Sequence, residues 1–168
     1  MLHKTLSSLF CALLMVGPAL AHDYQVGDLH IAHPWARPLP PVVPSGAAYM
    51  VIENRGNNQE ILVDAHSPIA EKVEVHEHVH VDGLMKMQRV DQLAIPPGAE
   101  VVFKPGGYHL MMFGLKQPLE AGERFPMTLV FTDGGSIEVQ VMIEEKPPST
   151  TAHDTHSADI ERSEHQHH

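Results

Sequence analysis

The stretch Val73-Glu74-Val75-His76-Glu77-His78-Val79-His80-Val81, followed by Asp82-Gly83 and Leu84-Met85-Lys86-Met87-Gln88, decides the fold. Side chains along a strand alternate between its two faces. The valines therefore share one face, the natural core face, while Glu74, His76, His78 and His80 share the other. Asp-Gly favours a tight two-residue hairpin turn. Such a turn would set His80 opposite Met85 and His78 opposite Met87, and directly opposed side chains lie about 5 Å apart at Cβ. The same register turns Lys86 and Gln88 onto the valine face, so the second leg has to be short and twisted, or bulged.

The texture on either side is similar. Leu29 to Ala32, Ala47 to Ile52, Glu60 to Asp64, Glu100 to Phe103, Tyr108 to Phe113, Phe125 to Thr132 and Ser136 to Ile143 are short apolar pieces. Gly, Pro, Asn and Asp separate them, as in Pro38-Leu39-Pro40-Pro41, Asn54-Arg55-Gly56-Asn57-Asn58 and Asp133-Gly134-Gly135. Many short strands at close spacing indicate an all-β sandwich or barrel. No sustained 3.6-residue period predicts a helix, and Ser67-Pro68-Ile69-Ala70-Glu71 allows one helical turn at most. Trp35, Tyr49, Phe103, Met50, Met112 and Met142 are expected in the core.

Residues 1–21 have the form of a secretory signal peptide: Lys4, an apolar run from Leu9 to Leu20, and an Ala19-Leu20-Ala21 exit. The run is too short for a membrane anchor, which needs about 20 apolar residues, and Cys11 has no lipobox before it. The expectation is a periplasmic protein cleaved after Ala21. Cys11 is the one cysteine in the chain, so the mature β-domain, 22–146, would carry no thiol. That excludes blue-copper sites, Fe–S clusters and thiol–disulfide chemistry, each of which needs cysteine. With 21 Asp and Glu against 11 Lys and Arg, nucleic acid and anionic lipid are poor partners.

From Pro147 to His168 the composition changes to Pro, Ser, Thr, Asp and His, with Ile160 the only large aliphatic residue. Such a segment cannot bury enough apolar area to offset its ordering entropy, so disorder is expected. His153, His156, His165, His167 and His168 make it a metal-binding tail by composition.

Imidazoles and thioethers are ligands that a soft ion such as Cu(I) accepts. In Tyr108-His109-Leu110-Met111-Met112, parity groups His109 with Met111, away from Leu110 and Met112. Both this segment and the 73–81 strand thus present imidazole and thioether away from the core. On hairpin geometry alone, His78 is the histidine nearest Met87. His30, His33 and His66 stand apart and read as surface or locally hydrogen-bonded residues.

These motifs resemble the periplasmic copper(I) chaperones of the PCu(A)C type. Their signature is a His, ten residues, a Met, twenty-one residues, then His-x-Met, and here His76, Met87 and His109-Leu110-Met111 have that spacing. His33-Pro34-Trp35-Ala36-Arg37, Gly83-Leu84-Met85-Lys86-Met87 and Pro105-Gly106-Gly107-Tyr108 also look like the family. The resemblance implies a cupredoxin-like Greek-key β-sandwich or barrel. It implies an exposed Cu(I) site of His76, Met87, His109 and Met111. This sequence departs from the pattern at His78 and His80, where members more often have other residues, and both compete for the place of the first ligand. It also implies a carrier rather than an enzyme, delivering copper to the copper-site subunit of cytochrome oxidase alongside a thioredoxin-like copper chaperone. Some members have His-rich extensions that bind Cu(II), and the tail looks like these. A copper buffer with no dedicated recipient is the alternative reading; zinc is a rival for the tail, and thioethers make it a poor fit elsewhere.

Overall fold

The computed structural model describes residues 23–147, and these form strands and turns without a helix. The strands are β1 (Tyr24–Val26), β2 (Leu29–Ala36), β3 (Ser45–Asn54), β4 (Glu60–His66), β5 (Lys72–Val81), β6 (Leu84–Arg89), β7 (Leu93–Ile95), β8 (Glu100–Val102), β9 (His109–Phe113), β10 (Arg124–Phe131) and β11 (Ser136–Ile143). Each predicted apolar piece is a strand. The short β1 and β7 were not legible, because three residues are too few to display a period.

The strands form one curled sheet in the order β6-β5-β9-β3-β2-β11-β10-β4-β7, with β1 on β2 and β8 on β3. Neighbours are antiparallel except β11 and β2, which run parallel. The curl brings β4 alongside β5 without a ladder, leaving a crevice lined by Leu62 to Ala65, Val73 to Val75 and Arg89 to Asp91. The sheet therefore stays open at that seam.

Alternation puts the core inside the curl. In β3, Ala48, Met50 and Ile52 are buried while Ala47, Tyr49 and Val51 are partly exposed. Phe125, Met127 and Leu129 from β10 meet Val139 and Val141 from β11 in the same core. Burying a side chain of this size contributes about 1.5–3 kcal/mol relative to exposure. Met50, Met112, Trp35 and Phe103 are buried as expected. Met142 is not: it alternates with buried Val141 and Ile143 and faces outward. Tyr49 is half-buried and lies against Trp35, ring centroids 4.8 Å apart.

Register shifts interrupt the sheet at two points, the second between Val130 and Phe131 where β10 pairs with β4. The β2–β3 register shifts between Ala32 and Trp35, where His33 has φ 51° just before Pro34. The extra residue is a β-bulge, which bends and twists a strand. At the end of β3, Asn54 is buried; its Nδ2 donates to the carbonyls of Asn58 and Ile95, and its Oδ1 accepts from Gly56 N–H. Those bonds satisfy the amide and fix the turn after β3. Ser67 to Glu71 is a turn, closed by Ala70 N–H donating to the Ser67 carbonyl.

Candidate metal site

Asp82 and Gly83 both have positive φ, 53° and 76°, as a type I′ hairpin turn requires. The turn fixes the register of β5 against β6: His76 faces Arg89, His78 faces Met87 and His80 faces Met85. The two His–Met oppositions expected from the sequence are both present. On its other edge β5 pairs with β9, setting His76 opposite His109 and Glu74 opposite Met111. His76, His78, Met87, His109 and Met111 thus sit on three adjacent strands. The His78 and His109 ring centroids are 4.9 Å apart, and those of His76 and His109 are 5.9 Å apart.

The hairpin runs past the core. Val73 and Val75 are buried, Val79 is half-exposed and Val81 exposed, and every residue of β6 is exposed. That is why Lys86 and Gln88 on the valine face carry no desolvation cost: beyond Val75 there is little core left to face. No bulge is needed.

His109 departs from the expectation of an outward site, being only 3% exposed. It points away from Leu110 as parity requires, but the rings of His76 and His78 lie against it. Met87 is 49% exposed and Met111 half-buried. The donors therefore grade from buried to open.

Hydrogen bonds assign the tautomers of two rings. His109 Nδ1 lies 3.0 Å from the Gly107 carbonyl oxygen. A carbonyl only accepts, so Nδ1 carries the proton and Nε2 keeps its lone pair. His76 Nε2 lies 2.9 Å from Glu74 Oε2. The hydrogen bond from His76, then that from Lys72, lower the Glu74 pKa, with the Arg89 charge adding to them against burial. The carboxylate is therefore ionised and accepts, leaving Nδ1 of His76 as the free lone pair. His76 Nδ1, His78 Nδ1 and His109 Nε2 are all buried with no hydrogen-bond partner. Buried polar atoms are normally satisfied; each orphaned ring nitrogen keeps a lone pair that a cation can accept. Among the described residues no three His, Cys, Asp or Glu groups surround a common point, so a cation held here has to draw on the thioethers too.

Sequence reasoning placed Glu74 on the histidine face but missed its role. Its Oε1 accepts from Arg89 Nη1 at 2.9 Å and pairs with Lys72 Nζ at 3.0 Å, and its side chain is only 10% exposed. A carboxylate that orients a ligating imidazole is a common outer partner in metal sites. The available signal was the period-two spacing of Glu74 and His76. His80 and Met85 lie at the exposed hairpin tip. His30 is locally engaged, with Nδ1 3.3 Å from Arg55 Nη2. The tail histidines His153, His156, His165, His167 and His168, and the leader ending at Ala21, lie outside the described residues.

Burial lowers the His109 pKa from 6.5; the nearby His78 and His76 add to this, and the Gly107 hydrogen bond opposes it. The sign follows: a histidine whose folded pKa is depressed stabilises the fold fully above its unfolded pKa. That contribution is lost as pH falls below about 6.5 towards the lower folded value. In an NMR pH titration of the metal-free protein, the His109 ring signals should therefore move with a midpoint below 6.5. A midpoint at or above that value would contradict the buried, neutral ring.

Comparison with known proteins fits this geometry. The model of the family described as "Putative lipoprotein LpqE-like" matches residues 29–143. A relative named "Putative lipoprotein Lxx21020", from Leifsonia xyli subsp. xyli (strain CTCB07), is 33% identical over 138 residues, covering 80% of this chain and 81% of the relative. Among solved structures, the copper-bound PCuAC domain from PmoF2 is 26% identical with a TM-score of 0.64, covering 74% of this chain and 99% of that one. The solution structure of CuI-DR1885 from Deinococcus radiodurans is 30% identical with a TM-score of 0.58, covering 76% of this chain and 83% of that one. The chain belongs to the LpqE-like family of PCuAC domains, and its open all-β sheet is their cupredoxin-like fold.

Proposed function

We propose that this protein is an exported copper carrier, not an enzyme. It binds Cu(I) through His76 Nδ1, His109 Nε2 and the sulfurs of Met87 and Met111, and passes the ion to the copper-site subunit of cytochrome oxidase. The observation that carries this reading is the pair of orphaned ring nitrogens, each freed because its ring partner is tied to Glu74 or Gly107. Its family membership supports it, as do one solved relative that is copper-bound and another that is Cu(I)-loaded. A thioredoxin-like copper chaperone is the proposed second partner.

The donor set explains why a carrier would be built this way. Thiolates hold Cu(I) but oxidise readily outside the cytosol. Thioethers and neutral imidazoles avoid that, and neither has to lose a proton in order to ligate. Four neutral donors leave the site with the charge of the ion, which favours Cu(I) over Cu(II). The gradation of exposure suits transfer: a recipient's donor can replace Met87 at the surface first, while His109 holds on from below. Each exchange then makes one bond as another breaks.

Export is part of the proposal, with cleavage after Ala21 into the periplasm. The family and the Leifsonia relative are described as lipoproteins, yet Cys11 here follows Ser8-Leu9-Phe10 rather than a lipobox. The tail is proposed to bind Cu(II) through His153, His156, His165, His167 and His168 and to raise local copper concentration.

In Cu(I) competition titrations, Glu74→Gln should weaken binding about tenfold by releasing the His76 ring, and His76→Ala should weaken it further. His78→Ala should cost less than His76→Ala; the reverse order would give the ligand role to His78. A chain ending at Lys146 should keep the Cu(I) affinity and lose Cu(II) binding, whereas retained Cu(II) would remove the tail from the proposal. The loaded protein, mixed with an apo oxidase copper domain, should give up its Cu(I). Retention of the ion there would make the protein a buffer.

A further inference from the structure

The hairpin tip carries donors that the four-ligand site does not use. Val90 N–H donates to the Val75 carbonyl at 2.9 Å, which makes Val75 and Val90 a hydrogen-bonded pair of the antiparallel ladder. Such pairs alternate with non-hydrogen-bonded ones, whose side chains stand closer together. Counting along the observed register, His76–Arg89, His78–Met87 and His80–Met85 are all close pairs, and all lie on one face. The face is thus a ladder of three rungs, of which the outer two each oppose an imidazole to a thioether.

The outermost rung has no structural explanation. Met85 is 54% exposed, and His80 is exposed beside it, so Met85 fills no core. The turn beneath them is fixed by Asp82 and Gly83 rather than by either side chain. Solvated strand faces near a tip normally carry Lys, Glu or Thr; a thioether there gains nothing from water. Cu(I) tolerates few ligands and prefers soft ones, so a single imidazole–thioether pair is enough to hold it briefly.

We propose that His80 and Met85 form a second Cu(I) site at the hairpin tip, one rung outside His78 and Met87, through which the ion enters and leaves the inner site. This rests on the Cu(I) reading above and adds a path to it. The ion moves inward by ligand exchange, from His80 and Met85 to His78 and Met87, then to His76, His109 and Met111. No electron is transferred; the bonds to His80 and Met85 break as those to His78 and Met87 form. In the inner site Met87 stays bound while His76 replaces His78, and His109 and Met111 add two further bonds. Since both tip residues are exposed, replacing them should leave the fold and the inner site intact.

The test loads the full-length protein, under reducing and anaerobic conditions, with Cu(I) supplied as its bicinchoninate complex. The double variant His80→Ala, Met85→Leu should bind one fewer Cu(I) per chain at excess metal and load the inner site more slowly. Its affinity for the first ion should be unchanged. In a parallel NMR titration of the unaltered protein, the Met85 methyl signal should shift after the first equivalent has bound. Unchanged stoichiometry and loading rate in the variant, or a Met85 methyl signal that never moves, would overturn the tip site. The underlying Cu(I) reading fails separately, if Met111→Leu binds its first ion as tightly as the unaltered chain.

Discussion

The two hydrogen bonds that hold the rings of His76 and His109 from behind are the constraint on which the rest of the structure depends. One runs to the Glu74 carboxylate and the other to the Gly107 carbonyl. Each fixes a tautomer, and each leaves the opposite nitrogen with a lone pair that the protein does not use. Glu74 can serve in this way because the hydrogen bonds from His76 and Lys72, with the Arg89 charge, keep it ionised, and Lys72 and Arg89 hold it in place. Arg89 comes from β6, so the strand that carries Met87 also steadies the ring of His76. The inner donors are therefore preorganised by three strands together, and local chain geometry alone would not achieve it.

The hairpin is an unusual edge. An exposed outer strand with apolar residues is a template for pairing with other chains, and Val81, Leu84, Met85 and Met87 are all exposed. Lys86 and Arg89 on the same strand, its six-residue length and the twist of the type I′ turn counter that hazard. Such an edge is tolerable where the exposed methionines serve as ligands, and it puts them where a partner's donors can reach. The same projection beyond the core explains the exposure gradient from His109 outward.

Much of this was legible in the chain. Period-two alternation in Lys72–Val81 and the Asp82-Gly83 turn specified the β5–β6 register residue by residue, because a two-residue turn leaves no freedom to slip. The alternation in β3 and β9 likewise sorted Met50 and Met112 into the core. What could not be read was how far the core extends along a strand. Val79 and Val81 have the pattern of buried residues but lie beyond the last layer of packing, and His109 has the parity of an outward residue but is covered by its neighbours across β5. Met142 was misplaced even though alternation groups it with Ser136, Glu138 and Gln140, opposite Val139, Val141 and Ile143; its face was readable from its own strand. Glu74 stood in plain view, yet its partners lie on two strands, and only the folded sheet brings Arg89 to it.

X-ray absorption spectroscopy of the full-length protein loaded with one equivalent of Cu(I) under reducing conditions is the most direct test of the central claim. It should show a Cu(I) edge and a first shell containing both sulfur and imidazole nitrogen. A first shell of nitrogen and oxygen alone, or a Cu(II) edge under those conditions, would contradict a thioether–imidazole Cu(I) site on β5, β6 and β9.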